Sequence, residues 1–190
     1  MDVTLQGVTA AVVLAAGAST RLGFPKQLVT LGGETLLDRA VRVALEAGCV
    51  PVVVLGSSAA LIRERCAFAN VRVVVNYAWA SGMGSSIRCG VEALIDAAAG
   101  CVVMTCDMPA VTPSHLRALI DTKTVTASGY AGRRGVPAYF PASAFQELME
   151  LSGDRGARGL LQHAPVMELP GGEFDVDTEA EWARVRASFS

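Results

Sequence analysis

The chain has 190 residues, enough to bury a substantial core and within the size of one domain. Apolar residues make up 52% but aromatics only 6%, so the core must be built from Val, Leu, Ile and Ala. A formal charge of −2 supplies no global basic field for nucleic acid or an anionic membrane, and no apolar run approaches the roughly 18 residues of a membrane span. In chain order, short β-branched runs recur at Ala11–Leu14, Val50–Leu55, Val71–Val75 and Cys101–Thr105. Helical patterns lie between them, at Glu34–Ala47 with a stop at Gly48, at Ser58–Ala69 and at Ser85–Ala98. Continuous apolar strands separated by helices predict a parallel sheet covered on both faces, a three-layer, doubly wound, Rossmann-like α/β sandwich.

After Pro109 the texture changes. Thr112 and Pro113 predict a helix start, as N-cap and first helical residue, with His115 as a solvated residue of its first turn. Strand-like Val136–Phe140 and Val166–Leu169 then alternate with helical Ser143–Leu151 and Ala157–Ala164, among clustered glycines. No linker or repeat interrupts the chain, which predicts one domain over residues 1–190. The five cysteines, Cys49, Cys66, Cys89, Cys101 and Cys106, are odd in number and lack any CxxC spacing. They are expected to be free, mostly buried thiols. The opening MDVTLQGVTA carries no basic leader, so a cytoplasmic location is expected.

The stretch 13-VLAAGASTRLGFPKQL-28 joins the first strand to a loop with Gly17, Gly23, Arg21 and Lys26. In open α/β sheets, ligands bind outside the carboxyl ends of the strands, which is where this loop leaves the sheet. Glycine lets backbone approach a ligand, and the two cations suit phosphate oxygens. The loop is neither a P-loop, which needs GK[ST], nor GxGxxG, since the glycine after Gly17 is Gly23. The strand 101-CVVMTC-106 ends in Asp107 at the same crevice edge, placed to hold magnesium together with substrate phosphates. Asp175 and Asp177 precede the last helix, where Asp177 or Thr178 could equally serve as its N-cap.

Together these pieces resemble the MobA/MocA nucleotidyltransferases, whose opening loop reads roughly LAAGxSxRxGxxK. The likeness continues through 76-NYAWASGMGSSIRCG-90, 105-TCDMP-109, 135-GVPAYF-140, 152-SGDRGARGLL-161 and 175-DVDTEAEW-182, and is nearest to the MocA branch, the molybdenum cofactor cytidylyltransferases. The resemblance implies a GT-A-type nucleotidyltransferase fold, with a nucleotide-binding half at 1–110 and an acceptor-binding half at 111–190. It implies a nucleoside triphosphate donor, with CTP favoured because the chain has 14-LAAG-17 where the guanylyl branch tends to have LAGG. It also implies Mg2+, and a phosphomonoester acceptor such as the molybdopterin-type molybdenum cofactor, with a molybdoenzyme or its chaperone as a protein partner. By match, the backbone of Ala15, Ala16 and Gly17 and the side chain of Ser86 would meet the base, with Gly82 beside it. Arg21 and Lys26 would hold the triphosphate, and Asp107 and Asp177 the metal; Arg21, Lys26 and Asp107 are the expected catalytic set. Gly135-Val136-Pro137 stands where many relatives have GHP, which removes an imidazole from the acceptor side.

Some positions stay open on sequence alone. Trp79 marks an acceptor surface or is a core aromatic; Asn76 bonds a loop backbone or touches ligand. Arg133 and Arg134 receive an anionic acceptor or form a solvated turn, and Asp154 orders its own turn or helps the acceptor. The alternatives of a GTP-using guanylyltransferase and of a non-catalytic nucleotide-binding module also remain, whereas an NAD-dependent dehydrogenase lacks its glycine spacing.

Overall fold

The apolar run at 11–14 lies inside the first strand, β1 (Thr9–Ala15). After a loop, β2 (Thr30–Leu31) and β3 (Glu34–Thr35) form a small antiparallel hairpin across Gly32 and Gly33, both at positive φ. There follow α1 (Leu36–Glu46), β4 (Val50–Leu55), α2 (Ala59–Arg65), β5 (Arg72–Val75), α3 (Met83–Glu92) and β6 (Gly100–Thr105). The second half supplies α4 (Pro113–Asp121), β7 (Thr126–Tyr130), β8 (Arg133–Pro141), α5 (Phe145–Met149), α6 (Arg158–Leu161), β9 (Val166–Glu168) and α7 (Glu179–Ser188). This computed structural model describes residues 7–69, 71–95 and 97–188, so the leader expectation falls largely outside the described residues.

Seven strands share one sheet in the order β5-β4-β1-β6-β8-β7-β9. β5, β4, β1 and β6 are parallel, as their continuous apolar runs predict. β8 runs antiparallel to both of its neighbours, and β9 is parallel to β7. The doubly wound, mostly parallel α/β arrangement read from the sequence is therefore the observed one. Alternation along β1 feeds two layers. Ala11, Val13 and Ala15 pack with Leu37, Val41 and Ala44 of α1 and with Leu116 and Leu119 of α4. Ala10, Val12 and Leu14 pack with Ile87 and Val91 of α3, Leu148 of α5 and Leu161 of α6.

The differences from the sequence pattern have local causes. α1 begins at Leu36 rather than Glu34, because Glu34 and Thr35 are used in the hairpin; Thr35 then caps the helix, accepting from Asp38 N–H at 3.0 Å. Gly48, at φ +85°, ends it as expected. β7 has no apolar run to announce it: Thr-Ala-Ser-Gly-Tyr is buried by its place in the sheet rather than by composition. That strand also overturns the expectation for His115. Thr112 and Pro113 do start α4, but the imidazole is buried, with Nε2 2.7 Å from Ser128 Oγ of β7, and burial pushes its pKa down. The cysteines are free as expected, and all but Cys89 are buried.

Gly90 lets α3 lie close against the sheet. A Cβ there would stand 2.4 Å from Val12 Cγ1 and 2.9 Å from Val54 Cγ2. In Gly90→Ala, two effects compete. Alanine gains about 1 kcal/mol in helix propensity, whereas overfilling a packed core costs about 1–3 kcal/mol. Stiff β-branched valines yield little, so Gly90→Ala is expected to lower Tm. Adding Val12→Ala to that variant should cost less than Val12→Ala alone, as read in a double-mutant cycle. A raised Tm for Gly90→Ala would show that propensity, not this contact, decides.

Candidate functional site

The carboxyl ends of β1 and β6 open into a cleft of about 950 Å³. Two segments distant in sequence from these strand ends, 133–136 and 154–162, also line it.

The opening loop is closed upon itself by Ser19. Its carbonyl accepts from Leu22 N–H at 3.0 Å and Gly23 N–H at 3.2 Å, and its Oγ accepts from Lys26 N–H at 3.1 Å. The two glycines do different work. Gly23 adopts φ +81°, a turn conformation that side chains rarely take. Gly17 has no such backbone demand, and nothing lies within 4 Å of the place its Cβ would occupy. The space over Gly17 is open to a ligand.

Four of the expected residues meet in one ion-pair network. Lys26 Nζ donates to Asp107 Oδ2 at 2.5 Å and to Asp177 Oδ1 at 2.6 Å, and Arg21 donates to Asp177 Oδ2 at 2.5 Å. The Lys26 and Asp107 side chains are only 18% and 9% exposed, whereas that of Arg21 is 67% exposed. A small satellite core makes the meeting possible. Leu22, Val29, Leu31 and Leu36, around the opening loop, pack with Val176 and Val185 from the end of the chain. Burial of Val176 turns the next side chain, Asp177, toward the cleft. Thr178 caps α7, accepting from Glu181 N–H at 3.2 Å while its hydroxyl donates to the Glu181 carboxylate at 2.8 Å. The Glu181 carboxylate also accepts from Asp177 N–H at 3.3 Å, and the Thr178 cap leaves the Asp177 carboxylate free for the two cations.

Burial alone would lower the Lys26 pKa, but Asp107 and Asp177 outweigh it and hold the ammonium above its usual range. For Asp177, burial raises the pKa, and the hydrogen bonds and charges of Lys26 and Arg21 outweigh that, so the carboxyl sits below its usual range. Asp175, which also lines the cleft, is pushed up by burial and then by its Asp107 and Asp177 neighbours. Asp107 Oδ1 is buried without a hydrogen-bond partner, so this carboxylate has acceptor capacity to offer a cation. Among the described residues, no group of three or more His, Cys, Asp or Glu side chains is placed to hold a metal. Two carboxylates that rely on substrate oxygens for the remaining ligands fit magnesium chemistry.

The other expected residues also line this cleft: Ala15, Ala16, Gly82 and Ser86. Gly82 takes φ +106°, and a Cβ on it would overlap the Gly153 backbone at 2.4 Å. Its glycine thus serves the close approach of the α3 start to the 153–154 turn, where Gly84 N–H also bonds Gly153 O at 2.9 Å. Asn76 is buried and orders the segment before α3. Its Oδ1 accepts from Ala78 N–H at 2.9 Å, and its Nδ2 donates to Ser85 and Ser86 hydroxyls at 2.8 and 3.1 Å. Trp79 is half-buried, packing on the core while lining the cleft. Arg133, Arg134 and Asp154 line it too, and Arg134 Nε donates to Ala164 O at 3.2 Å. The Asp154 carboxylate, which the sequence leaves open between ordering its turn and helping the acceptor, stands beside Gly82. Sequence reasoning missed Gln27, Tyr130, Arg155 and Arg158, which also line the cleft. Gln27 had one signal, a lone polar residue where the loop turns back toward apolar Leu28 and Val29.

Comparison with known proteins identifies the family and the fold. A family model described as "MobA-like NTP transferase domain" matches residues 11–168. Nicotine blue oxidoreductase of Paenarthrobacter nicotinovorans is 35% identical over 177 residues, covering 86% of each chain. A probable molybdenum cofactor guanylyltransferase of Opitutus terrae is 36% identical over 107 residues, 54% of this chain and 49% of that one. The crystal structure of Rv0371c from Mycobacterium tuberculosis has a TM-score of 0.83 at 35% identity, covering 97% of this chain and 100% of the other. The same mycobacterial protein crystallised with manganese gives a TM-score of 0.79 at 33% identity, covering 95% and 99%. With the family model spanning most of the sequence and the fold shared along nearly its whole length, the chain belongs to the MobA-like NTP transferase family and is an enzyme of the nucleotidyltransferase type.

Proposed function

We propose that this protein transfers a nucleoside monophosphate from CTP to a phosphate-bearing acceptor of the molybdopterin-type molybdenum cofactor, using magnesium and releasing pyrophosphate. The observation that carries this reading is the meeting of Arg21 and Lys26 with Asp107 and Asp177 at the carboxyl edge of β1 and β6. In this reading the chain is one domain, with residues 1–110 receiving the nucleotide and 111–190 the acceptor.

The chemistry is displacement at the α-phosphorus. An acceptor phosphate oxygen forms a new bond to it as the bond to the β-phosphate oxygen breaks, and pyrophosphate leaves with that electron pair. Charge gathers on the α-phosphate oxygens, so catalysis is positioning and electrostatic stabilisation. Lys26, deep in the cleft, faces that charge, while the more exposed Arg21 holds the β- and γ-phosphates. The Ala15–Gly17 backbone and Ser86 receive the base. Asp107 and Asp177 would hold the magnesium, which when bound neutralises phosphate oxygens. The buried, unpartnered Asp107 Oδ1 and the manganese complex of Rv0371c support this assignment.

The nucleotide preference rests on Ala16. Its methyl group is buried beside Trp79 and Gly56, where a Cβ on Gly56 would meet it at 2.8 Å. It thickens the wall on which the base rests and favours the smaller pyrimidine, by the roughly 1–3 kcal/mol that one methyl discriminates. The likeness to a guanylyltransferase keeps GTP as the alternative donor. On the acceptor side, Arg133, Arg134, Arg155 and Arg158 line the cleft and suit an anionic acceptor. The buried free thiols suit a reducing cytoplasm, where a molybdoenzyme or its chaperone would take the product.

Co-expression with a molybdoenzyme, followed by mass analysis of its extracted cofactor, tests donor and acceptor together. A cytidylyl adduct is expected. A guanylyl adduct would move the protein to the alternative donor, and a cofactor without nucleotide would overturn the acceptor.

Two sets of variants test the residue roles. Asp107→Asn should lower pyrophosphate release about a hundredfold or more while leaving the far-UV dichroism unchanged, since a crevice carboxylate is not part of the core. Turnover like that of the wild type would remove Asp107 from the metal site. Loss of a transition-state contact lowers kcat, and loss of uniform binding raises KM. Lys26→Ala should therefore act chiefly on kcat and Arg21→Ala chiefly on the KM for CTP; the reverse pattern would exchange their roles.

A further inference from the structure

Gln27 follows Lys26 directly, and its side chain is almost wholly buried, 1% exposed. Its Nε2 donates two hydrogen bonds back into the opening loop, to Ala15 O at 2.8 Å and to Gly17 O at 3.1 Å. The carbonyls before and between these are tied as well. Leu14 O accepts from Cys106 N–H at 3.3 Å, and Ala16 O from Ser57 N–H at 3.0 Å. In a planar trans peptide the C=O and the following N–H point in opposite directions. Drawing the Ala15 and Gly17 carbonyls toward Gln27 therefore turns the N–H groups of Ala16 and Ala18 away from it. Both residues line the cleft, and the space over Gly17 between them is open.

The amide has one workable orientation, because reversed it would set Oε1 against two carbonyl oxygens. Held as it is, Oε1 is buried without a partner. A side chain that only filled space here would not carry that penalty.

We infer that Gln27 is a positioning residue of the nucleotide site. By clamping the Ala15 and Gly17 carbonyls, it fixes the Ala16 and Ala18 N–H groups as donors to the nucleotide. Affinity for the donor then depends on a side chain that need not touch it. The inference rests on the nucleotide reading of this cleft given above.

Calorimetric titration of CTP and of GTP, each with magnesium, into the wild type, Gln27→Glu and Gln27→Ala tests it, with a melting curve for each protein. Glutamate keeps the shape of the side chain but loses the donor. Facing two carbonyl oxygens in a buried setting, its carboxyl pKa is raised, and its protonated form regains one hydrogen bond. At about pH 8, Gln27→Glu should bind CTP about tenfold or more weakly than the wild type, as for other residues that orient a site from behind. At about pH 6 the ratio to the wild type should shrink, while Gln27→Ala should show no such recovery. Wild-type affinity in Gln27→Glu at the higher pH would overturn the clamp. Equal weakening at both pH values would do so as well, and so would the unfolding of both variants, which would assign Gln27 to the fold alone. A wild type that binds neither nucleotide would instead remove the nucleotide reading itself.

Discussion

The ammonium of Lys26 between the carboxylates of Asp107 and Asp177 is the interaction on which the rest of the site depends. Lys26 lies 81 positions from Asp107 and 151 from Asp177. Neither pairing exists unless β1 and β6 lie side by side and the end of the chain folds back over them. A partly buried cation or carboxylate is costly alone, and each is tolerated because the others are there. Such a network is weak evidence for stability, since apolar residues would hold the strands as well. It is better evidence for a site, where charge is kept for another purpose. The exposed Arg21 adds little to stability in this setting.

The same network sets its pH window. The Asp177 carboxyl, held below its ordinary value of 3.8, contributes stability above that value, which is lost as pH falls through the lower folded one. Lys26, raised above 10.5, contributes below that value and loses the contribution only as pH rises past the folded one. The network is therefore intact across the neutral range. In the proposed reading, an incoming triphosphate would meet Lys26 and Arg21 already held near one another by Asp177.

Much of the fold was legible because the parallel strands announce themselves. β4 matches its apolar run residue for residue, and β1 and β6 extend theirs only slightly. β7 was not legible, since small and polar residues carry no hydrophobic period even when a sheet buries them. The misreading of His115 follows directly, because its burial is made by Ser128 on that unseen strand. In the site, Arg21, Lys26 and Asp107 could be found from types and spacing at a strand end. Asp177 needed the structure to separate it from the cap, which Thr178 supplies. Gln27 left only a faint signal for a different reason: its partners are backbone carbonyls, which no residue pattern records.

The comparisons show how far the frame constrains chemistry. Relatives with identities of about one third bear names as different as an oxidoreductase and a guanylyltransferase, so function lies in the residues set on the fold rather than in the fold itself. Here the residues proposed for that role are two cations and two carboxylates that pair with one another. The most direct measurement is a crystal structure with magnesium and a non-hydrolysable CTP analogue. The account predicts triphosphate oxygens on Lys26 and Arg21, with the base against Ala15–Gly17. A nucleotide bound elsewhere, with both cations still engaged by Asp177, would contradict it.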